Sequence, residues 1–361
     1  MAGAFRSRVR VPAAPRVELH PTGAPRFGRG TIISRGYDMV LVTGSNSLLG
    51  TNLVKKLLES GEQVRCLDLE KPRDVPSGVE FIEGDNLDAL LLGKACTGID
   101  TVFHLMDVKS SKHRGRRFMR RINIKGTGIL LKAAQIASVK KFIFLSSYEV
   151  YGAVKNLPVG ESDLKVLKPL TRYGKDKLKA EKLCQEQIKL KKMGITIFRP
   201  APIIGAGTHN PIVLITLLMA MGMEEANRIY VAGHGENRFQ LLHPDDAAAA
   251  FLAAHRGSAY GKIYNLGSDD VPTQMAQIEE VKKMAGLDAT IMHMATSKAK
   301  FRSFFLKPFK IDYLNKGHVM YLLTDLILDC SLAKHELAWQ PKRGNIDIIL
   351  ETIEWYKKEK L

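Results

Sequence analysis

The sequence predicts an α/β fold with a doubly wound parallel sheet and a smaller C-terminal substrate domain. Two observations support this prediction. Short apolar runs alternate with amphipathic segments between residues 40 and 200, and that alternation is typical of strand–helix–strand units with parallel strands. After Pro200 the alternation becomes irregular, with more glycine, proline and methionine, which indicates a change of domain.

The pattern of apolar residues predicts the individual elements. Apolar residues recur every three or four positions in amphipathic helices and form short unbroken runs in buried strands. The predicted strands are Val40–Thr43, Val64–Leu67, Val79–Ile82, Thr101–Leu105, Lys141–Leu145 and Ile195–Phe198. The predicted helices are Leu48–Ser60, Leu87–Ala95, Arg117–Ala137 and Arg172–Lys192. Regular patterning returns at Asp245–His255 and Ile263–Leu266.

Composition excludes several classes of protein. The 361 residues are 45% apolar and 25% charged, which are values of a globular chain rather than of a disordered, collagen-like or coiled-coil one. No run of 18 apolar residues occurs, so a membrane-spanning helix is not predicted. The four cysteines are widely separated, and we expect free thiols in a reducing compartment. The net charge of +17 favours anionic ligands.

The first 38 residues differ from the rest, with seven arginines, no lysine and two acidic residues. This composition is typical of an organelle-targeting extension, but a disordered leader, or a true start at Met39, explains it as well. We therefore expect a disordered or targeting extension over residues 1–38. The expected location is cytoplasmic, with organelle targeting by this segment as the alternative.

A strand-to-helix turn at residues 43–50 indicates a nucleotide site. Gly44 and Gly50 occupy two positions at which a dinucleotide-binding turn needs glycine, while Ser47 occupies the third. Asp68 ends the next strand, at about the distance at which a carboxylate binds the adenosine ribose. No arginine follows at Leu69, which favours NAD over NADP. The alternative is a turn of the same shape that binds no nucleotide.

Polar side chains farther along predict acid–base chemistry. A strand ends in Ser146 and Ser147, and Tyr173 and Lys177 follow on a predicted helix. Residues four apart share one helix face, so the Lys177 ammonium is expected to lower the pKa of the Tyr173 phenol. Such a phenol exchanges a proton with a substrate hydroxyl during hydride transfer.

With these residues the chain resembles the extended short-chain dehydrogenase/reductases, which include nucleotide-sugar epimerases and dehydratases and the related 3β-hydroxysteroid dehydrogenases. The resemblance runs from Met39 to about Tyr356. It rests on Phe103-His104-Leu105, Asn123–Thr127, Ser146-Ser147, Tyr173 and Lys177, Arg199-Pro200, His243–Asp246 and Tyr264–Gly267. It implies an NAD-binding Rossmann domain over residues 39–200 plus about 240–268, a substrate domain over 201–239 and 269–361, and a homodimer.

The resemblance also implies roles for individual residues. Ser147 orients the substrate, Tyr173 is the acid/base, Lys177 is its partner and Asn123 supports the site. The residues expected to bind NAD are Gly44, Ser47, Leu48, Gly50, Asp68, Asp85, Asn86, Leu105 and Lys177. Asp85 resembles the residue that bonds the adenine amino group.

Several positions depart from the family pattern. Met106-Asp107 stands where two alanines are usual beside the cofactor. Pro202 and Phe239 replace an asparagine and an arginine that nucleotide-sugar enzymes use on the diphosphate side, and these two changes favour the steroid-dehydrogenase-like branch. Glu149 favours the other branch, because dehydratases and decarboxylases carry an acid there; it is equally a rim residue.

We therefore predict an NAD-dependent oxidoreductase acting at a secondary alcohol or ketone, like the 3β-hydroxysteroid dehydrogenases. The alternatives are a nucleotide-sugar epimerase, dehydratase or decarboxylase using Glu149, and a non-catalytic NAD-binding scaffold. The expected partner is a small molecule, anionic or lipophilic. Lys109–Arg121 carries seven basic residues and Lys298–Lys310 mixes basic and aromatic ones. Neither indicates nucleic-acid binding, peripheral membrane contact is not favoured, and no metal site is predicted.

Overall fold

The computed structural model describes residues 39–109, 115–152, 154, 157–163, 167–208, 228–294 and 324–360. The predicted extension over residues 1–38 and the aromatic, basic segment Lys298–Lys310 lie outside the described residues. So do residues 110–114 of the basic run.

The described strands form two sheets. The strands are β1 Met39–Thr43, β2 Gln63–Asp68, β3 Val79–Glu83, β4 Thr101–His104, β5 Lys141–Leu145, β6 Gly194–Pro200, β7 Arg228–Ala232, β8 Lys262–Leu266 and β9 Thr290–Met294. Seven of them form the main sheet in the order β3-β2-β1-β4-β5-β6-β8, and every neighbouring pair is parallel. This sheet confirms the predicted fold class. The strand order reverses between β1 and β4, and in such sheets ligands bind in the crevice at this reversal.

Helices cover both faces of the main sheet. The described α-helices are α1 Leu48–Glu59, α2 Ala89–Cys96, α3 Gly115–Arg120, α4 Thr127–Ile136, α5 Arg172–Leu190, α6 Pro244–Arg256, α7 Gln274–Met284, α8 Ser331–Leu337 and α9 Asn345–Lys360. One buried cluster packs α1 and α6 on the sheet through side chains such as Leu53 and Phe251. The other packs α2, α4 and α5 through side chains such as Leu92, Leu130 and Cys184. None of the described helices combines the length and apolar character needed to cross a bilayer.

Each predicted strand and helix of the main sheet is present within about two residues of its expected bounds, except one helix. The segment Arg117–Ala137 is not a continuous α-helix, because a π-helical turn over Arg121–Gly126 separates α3 from α4. Asn86 packs against this turn so closely that a Cβ at Gly126 would lie 2.3 Å from its side chain. Single π-helical turns occur frequently at functional sites.

A smaller sheet of β7 and β9, paired in parallel, lies within the two segments that sequence analysis assigned to the substrate domain. Helix α9 is joined to the segment after β7 by Asn345. The Asn345 side chain accepts a hydrogen bond from the Leu241 amide at 2.9 Å and donates one to the Phe239 carbonyl at 2.7 Å. The proposed domain boundaries themselves stay a prediction.

Candidate active site

The turn after β1 is built on two glycines that no other residue can replace without displacing backbone. Gly44 has a φ of +75°, and a Cβ there would lie 2.6 Å from the amide nitrogen of Met106, after β4. A Cβ at Gly50 would lie 2.3 Å from the Gly44 carbonyl oxygen. The two glycines therefore let the end of β1, the start of α1 and the end of β4 meet at the reversal of strand order.

Ser47 caps α1 and uses its side chain within the turn. Its hydroxyl accepts a hydrogen bond from the Gly50 amide at 3.0 Å and donates one to the Gly44 carbonyl at 2.8 Å. A serine at the N-cap satisfies one of the free amides of the first helical turn. The departure from glycine therefore has a local structural role, and Leu48 begins α1 directly after it.

Acidic and amide side chains line the neighbouring strand ends. Asp68 accepts hydrogen bonds from the amides of Asn46, in the turn, and Leu69, at 2.8 and 2.7 Å. Burial raises the pKa of Asp68, and these two hydrogen bonds oppose that rise. The Asp68 carboxylate thus lies against the turn, and its predicted contact with the ribose stays a prediction. Asp85 accepts from the Leu87 amide at 2.7 Å.

Asn86 occupies a different environment from Asp85. It is fully buried, and its amide donates to the Ile122 carbonyl in the π-helical turn at 3.1 Å. Its Oδ1 has no hydrogen-bond partner among the described residues. Asn86 therefore supports the π-helical turn, and its predicted contact with NAD stays a prediction.

Tyr173 and Lys177 lie one turn apart near the start of α5, and both are buried. Thr171 caps this helix by accepting a hydrogen bond from the Gly174 amide at 2.9 Å. The Lys177 ammonium donates to the Leu145 carbonyl at the end of β5 at 2.6 Å. The predicted pair therefore lies at the carboxyl edge of the sheet, next to the reversal of strand order.

Asp107 joins this pair and was not among the predicted site residues. The Tyr173 hydroxyl donates to Asp107 Oδ2 at 2.6 Å, and Lys177 Nζ lies 2.9 Å from the same oxygen. The Asp107 side chain is 10% exposed. The sequence signal was available, because a carboxylate stood at a position where the family usually has alanine, but the sequence did not reveal what it contacts.

The pKa values of the three groups depend on one another. Burial and then the Asp107 charge raise the pKa of Tyr173 well above its usual value. Burial lowers the pKa of Lys177, an effect that Asp107 opposes. Burial acts to raise the pKa of Asp107, but the charges of Lys177 and Lys109 bring it below its usual value. Sequence analysis expected Lys177 to lower the pKa of Tyr173, and the direction is the opposite in the observed arrangement, because burial and then Asp107 raise it.

A second buried carboxylate lies beside the start of α5. Ser147 ends the loop after β5 and caps the short 3-10 turn Tyr148–Val150, accepting from the Glu149 amide at 3.1 Å. The Glu149 carboxylate accepts a hydrogen bond from the Thr171 hydroxyl. The Glu149 backbone also lies close to α5: a Cβ at Gly174 would be 2.1 Å from the Glu149 carbonyl oxygen, so position 174 requires glycine. Glu149 is 6% exposed, so it is not a rim residue.

Asn123 fixes the backbone next to Asp107. Its side chain, in the π-helical turn, accepts from the Val108 amide at 2.8 Å and donates to the Val108 carbonyl at 2.9 Å. The supporting role that the resemblance implied for Asn123 therefore has a structural basis. Leu105, which precedes this segment, is buried in the core.

The histidines of the motifs form no metal centre. His104 lies between the hydroxyls of Thr43 and Thr127, at 2.8 and 2.9 Å, and burial, followed by the Lys177 charge, lowers its pKa to about 3. His243 caps α6 through the Asp245 amide. Across the described part of the chain, no group of three or more His, Cys, Asp or Glu side chains is arranged to hold a metal ion.

Comparison with known proteins decides the family. The model of the NAD dependent epimerase/dehydratase family matches residues 40–267. The chain belongs to this family. It is therefore an enzyme of the extended short-chain dehydrogenase/reductase type, as the motifs predicted, and the NAD dependence of the family agrees with the predicted cofactor.

Three relatives illustrate the similarity. A dTDP-D-glucose 4,6-dehydratase of Mus musculus is 25% identical over 337 residues, covering 88% of each chain. A UDP-glucose 4-epimerase of Pasteurella multocida is 27% identical over 354 residues, covering 88% of this chain and 97% of the relative. The solved structure of MoeE5 in complex with UDP-glucuronic acid and NAD matches with a TM-score of 0.72 at 22% identity, covering 89% and 99%. These relatives agree better with the nucleotide-sugar alternative than with the steroid-dehydrogenase-like prediction.

Proposed function

We propose that this protein is an NAD-dependent enzyme that converts a nucleotide sugar by oxidising a ring carbinol, with epimerisation or elimination as the net result. The observation that supports this most is the pair of acid–base groups at the start of α5. Tyr173 lies on the helix whose N-cap, Thr171, bonds the buried Glu149 carboxylate. Alcohol oxidation, and inversion of the oxidised carbon, require one proton-transfer group, whereas epimerisation or elimination at a neighbouring carbon requires a second.

The residues at the reversal of strand order fit a dinucleotide. Gly44 and Gly50 allow close backbone approach at the N-terminus of α1, where free amides attract phosphate. Asp68 accepts a hydrogen bond from the Asn46 amide in this turn, and we propose that it binds the ribose hydroxyls. When bound, NAD supplies the hydride acceptor, and Lys177, which donates to the Leu145 carbonyl at the end of β5, would contact it.

The chain's own residues handle the protons. Tyr173 takes the proton of the sugar hydroxyl while the carbon that bears this hydroxyl loses hydride. In the reverse step Tyr173 returns the proton. Ser147 is proposed to hold the same substrate oxygen. Glu149 takes a proton from the carbon next to the carbonyl, and the Thr171 hydroxyl orients its carboxylate. Return of this proton to the opposite face gives epimerisation, whereas its departure with the neighbouring hydroxyl, as water, gives elimination. The substrate's oxidation is thus reversible within one active site.

A second candidate function is oxidation of a lipophilic alcohol. It is favoured by Tyr148 and Phe239, whose rings meet edge to face with centroids 6.0 Å apart. At the Phe239 position the nucleotide-sugar enzymes that the chain resembles use an arginine on the diphosphate side. The aromatic pair therefore makes this side of the site less suited to a diphosphate.

The test is to incubate the NAD-loaded full chain with UDP-glucose, dTDP-glucose and a 3β-hydroxysteroid, and to identify products by NMR. We expect conversion of a nucleotide sugar without net reduction of the cofactor, and none by Tyr173→Phe. Stoichiometric reduction of NAD by the steroid, with both nucleotide sugars unchanged, would establish the second candidate and reject the first.

A further inference from the structure

Asp107 distinguishes this site from a site with alanine at the same position. Two donors, the Tyr173 hydroxyl and the Lys177 ammonium, converge on one oxygen of its carboxylate, at 2.6 and 2.9 Å. The donors are the two groups that the proposed reaction needs. Asp107 Oδ2 accepts from both donors. A hydroxyl oxygen of the substrate or of the cofactor ribose at the same place would make the same two contacts.

The position of Asp107 is fixed by its neighbours on both sides in sequence. The amide nitrogen of Met106 lies so close to Gly44 that no side chain fits between them. Val108 is held through both its amide and its carbonyl by the Asn123 side chain. The backbone of Asp107 is therefore clamped between β1 and the π-helical turn, and only its side-chain torsions are free to move the carboxylate.

The charges around Asp107 explain why it stays ionised. Besides Lys177, the exposed Lys109 lies near the site, with its ammonium 5.8 Å from the centroid of the Tyr173 ring. Glu149 and Tyr148 also act against the ionisation of Tyr173. His104 is neutral because burial, followed by the Lys177 charge, lowers its pKa to about 3. The Asp107 carboxylate thus neutralises the cation that would otherwise stabilise a phenolate.

We propose that Asp107 is a positioning residue that holds Tyr173 as a proton donor, and that this hydrogen bond must be exchanged for one to the substrate before Tyr173 can accept a proton. The proposal rests on the proposed function for its catalytic consequence, but its structural part concerns Tyr173 alone. In the observed arrangement Tyr173 is set for the reductive step, in which the phenol gives its proton to a carbonyl oxygen. The oxidative step requires the Asp107 side chain to turn away.

The direct test is the ionisation of Tyr173 in the protein without substrate. The phenolate absorbance is titrated in wild type, Asp107→Asn and Asp107→Ala, each with a matched Tyr173→Phe double variant whose signal is subtracted to isolate Tyr173. We expect the ionisation constant of Tyr173 to rise at least about tenfold, equivalent to one pKa unit, in Asp107→Asn and further in Asp107→Ala. Equal constants in all three proteins would overturn the proposal.

A matched control removes one carboxylate far from the site. Asp88 caps α2 through the amides of Leu90 and Leu91, and Asn is an equally good capping residue. Asp88→Asn is expected to leave the Tyr173 titration unchanged. A shift as large as that of Asp107→Asn would mean that net charge, and not the hydrogen bond, sets the ionisation, which also overturns the proposal.

A second readout separates this inference from the proposed function. With the nucleotide sugar that the wild type converts, the acidic limb of the kcat/KM profile for this conversion is expected at lower pH in Asp107→Ala. An unchanged limb would contradict the proposal. If no nucleotide sugar is converted by any variant, the proposed function fails, while the phenol titration still decides the role of Asp107.

Discussion

Two buried clusters in this enzyme contain the same three groups, a carboxylate, a cation and a phenol. They differ in the hydrogen-bond partners of the phenol. The site cluster consists of Asp107, Lys177 and Tyr173. The second, which we call the support cluster, consists of Glu181 on α5, Arg199 on β6 and Tyr151. In the support cluster Arg199 and Glu181 are fully buried and form two hydrogen bonds, at 2.9 and 2.7 Å.

The difference lies in the phenol. Tyr151 accepts from Arg199 at 3.0 Å and donates to Asn265 at 2.8 Å, so both of its hydrogen-bonding roles are filled by protein. Burial raises the pKa of Tyr151 to about 12, although the Arg199 charge opposes the rise. Tyr173 donates to a carboxylate oxygen that a substrate oxygen can replace. The support cluster joins strands and helix, whereas the site cluster has a contact available for exchange.

The comparison predicts the largest loss of activity at the site phenol. Tyr173→Phe is expected to reduce kcat by about 10²–10⁴-fold, the usual range for a general acid/base, with NAD affinity nearly unchanged. Tyr151→Phe is the matched control and should lower thermal stability while leaving kcat within a few-fold. Steady-state kinetics and NAD titration check both variants, and similar losses of kcat would erase the distinction between the clusters.

The largest loss of stability is expected in the support cluster. Glu181→Gln leaves Arg199 charged and buried without its partner, which typically costs about 3–5 kcal/mol in the free energy of unfolding. Asp107→Asn, the matched change in the site cluster, is expected to cost much less, because the buried Lys177 can lose its proton when its partner is removed, whereas an arginine cannot. Denaturant unfolding measures both. Equal decreases in the free energy of unfolding would show that Asp107 contributes as much to stability as Glu181 does.

Acid stability sharpens the comparison through His104, whose pKa is lowered by burial and by the Lys177 charge. Its pKa is about 3 in the folded protein and about 6.5 when unfolded, so the unfolded chain binds an additional proton between these values. The free energy of unfolding should therefore fall as pH decreases from about 6.5 to 3, by up to about 1.4 kcal/mol per pH unit from this residue. His104→Gln should show a shallower slope. If the free energy of unfolding depends on pH identically in wild type and His104→Gln, His104 is not the residue that takes up the proton on unfolding.

The smallest expected effect concerns the connection between Glu149 and α5. Thr171→Ala removes the helix cap and the donor to Glu149, and loss of such a cap typically costs about 1 kcal/mol. Thr171→Ser keeps both hydrogen bonds and is expected to restore stability and activity. Thermal melts and product analysis check this pair. Full activity in Thr171→Ala would argue against a catalytic role for an oriented Glu149.

The sequence predicted what local patterns determine. The strands of the main sheet, the glycine turn and the Tyr173–Lys177 pair depend on apolar periodicity and on a spacing of four residues, both of which are visible in one chain. The contact between Asp107 and this pair joins residues 66 positions apart, and no local pattern encodes it. The π-helical turn was missed for the same reason, since Asn86 packs against Gly126 from a distant loop.

The most direct test of the proposed mechanism follows the transfer of hydride to the nicotinamide and its dependence on Tyr173. The NAD-loaded enzyme is mixed with its nucleotide sugar deuterated at the carbon to be oxidised, quenched within the first turnover, and the nicotinamide is examined by mass spectrometry. We predict deuterium in the nicotinamide of the wild type and none with Tyr173→Phe. Product formation with deuterium never entering the nicotinamide would contradict the account.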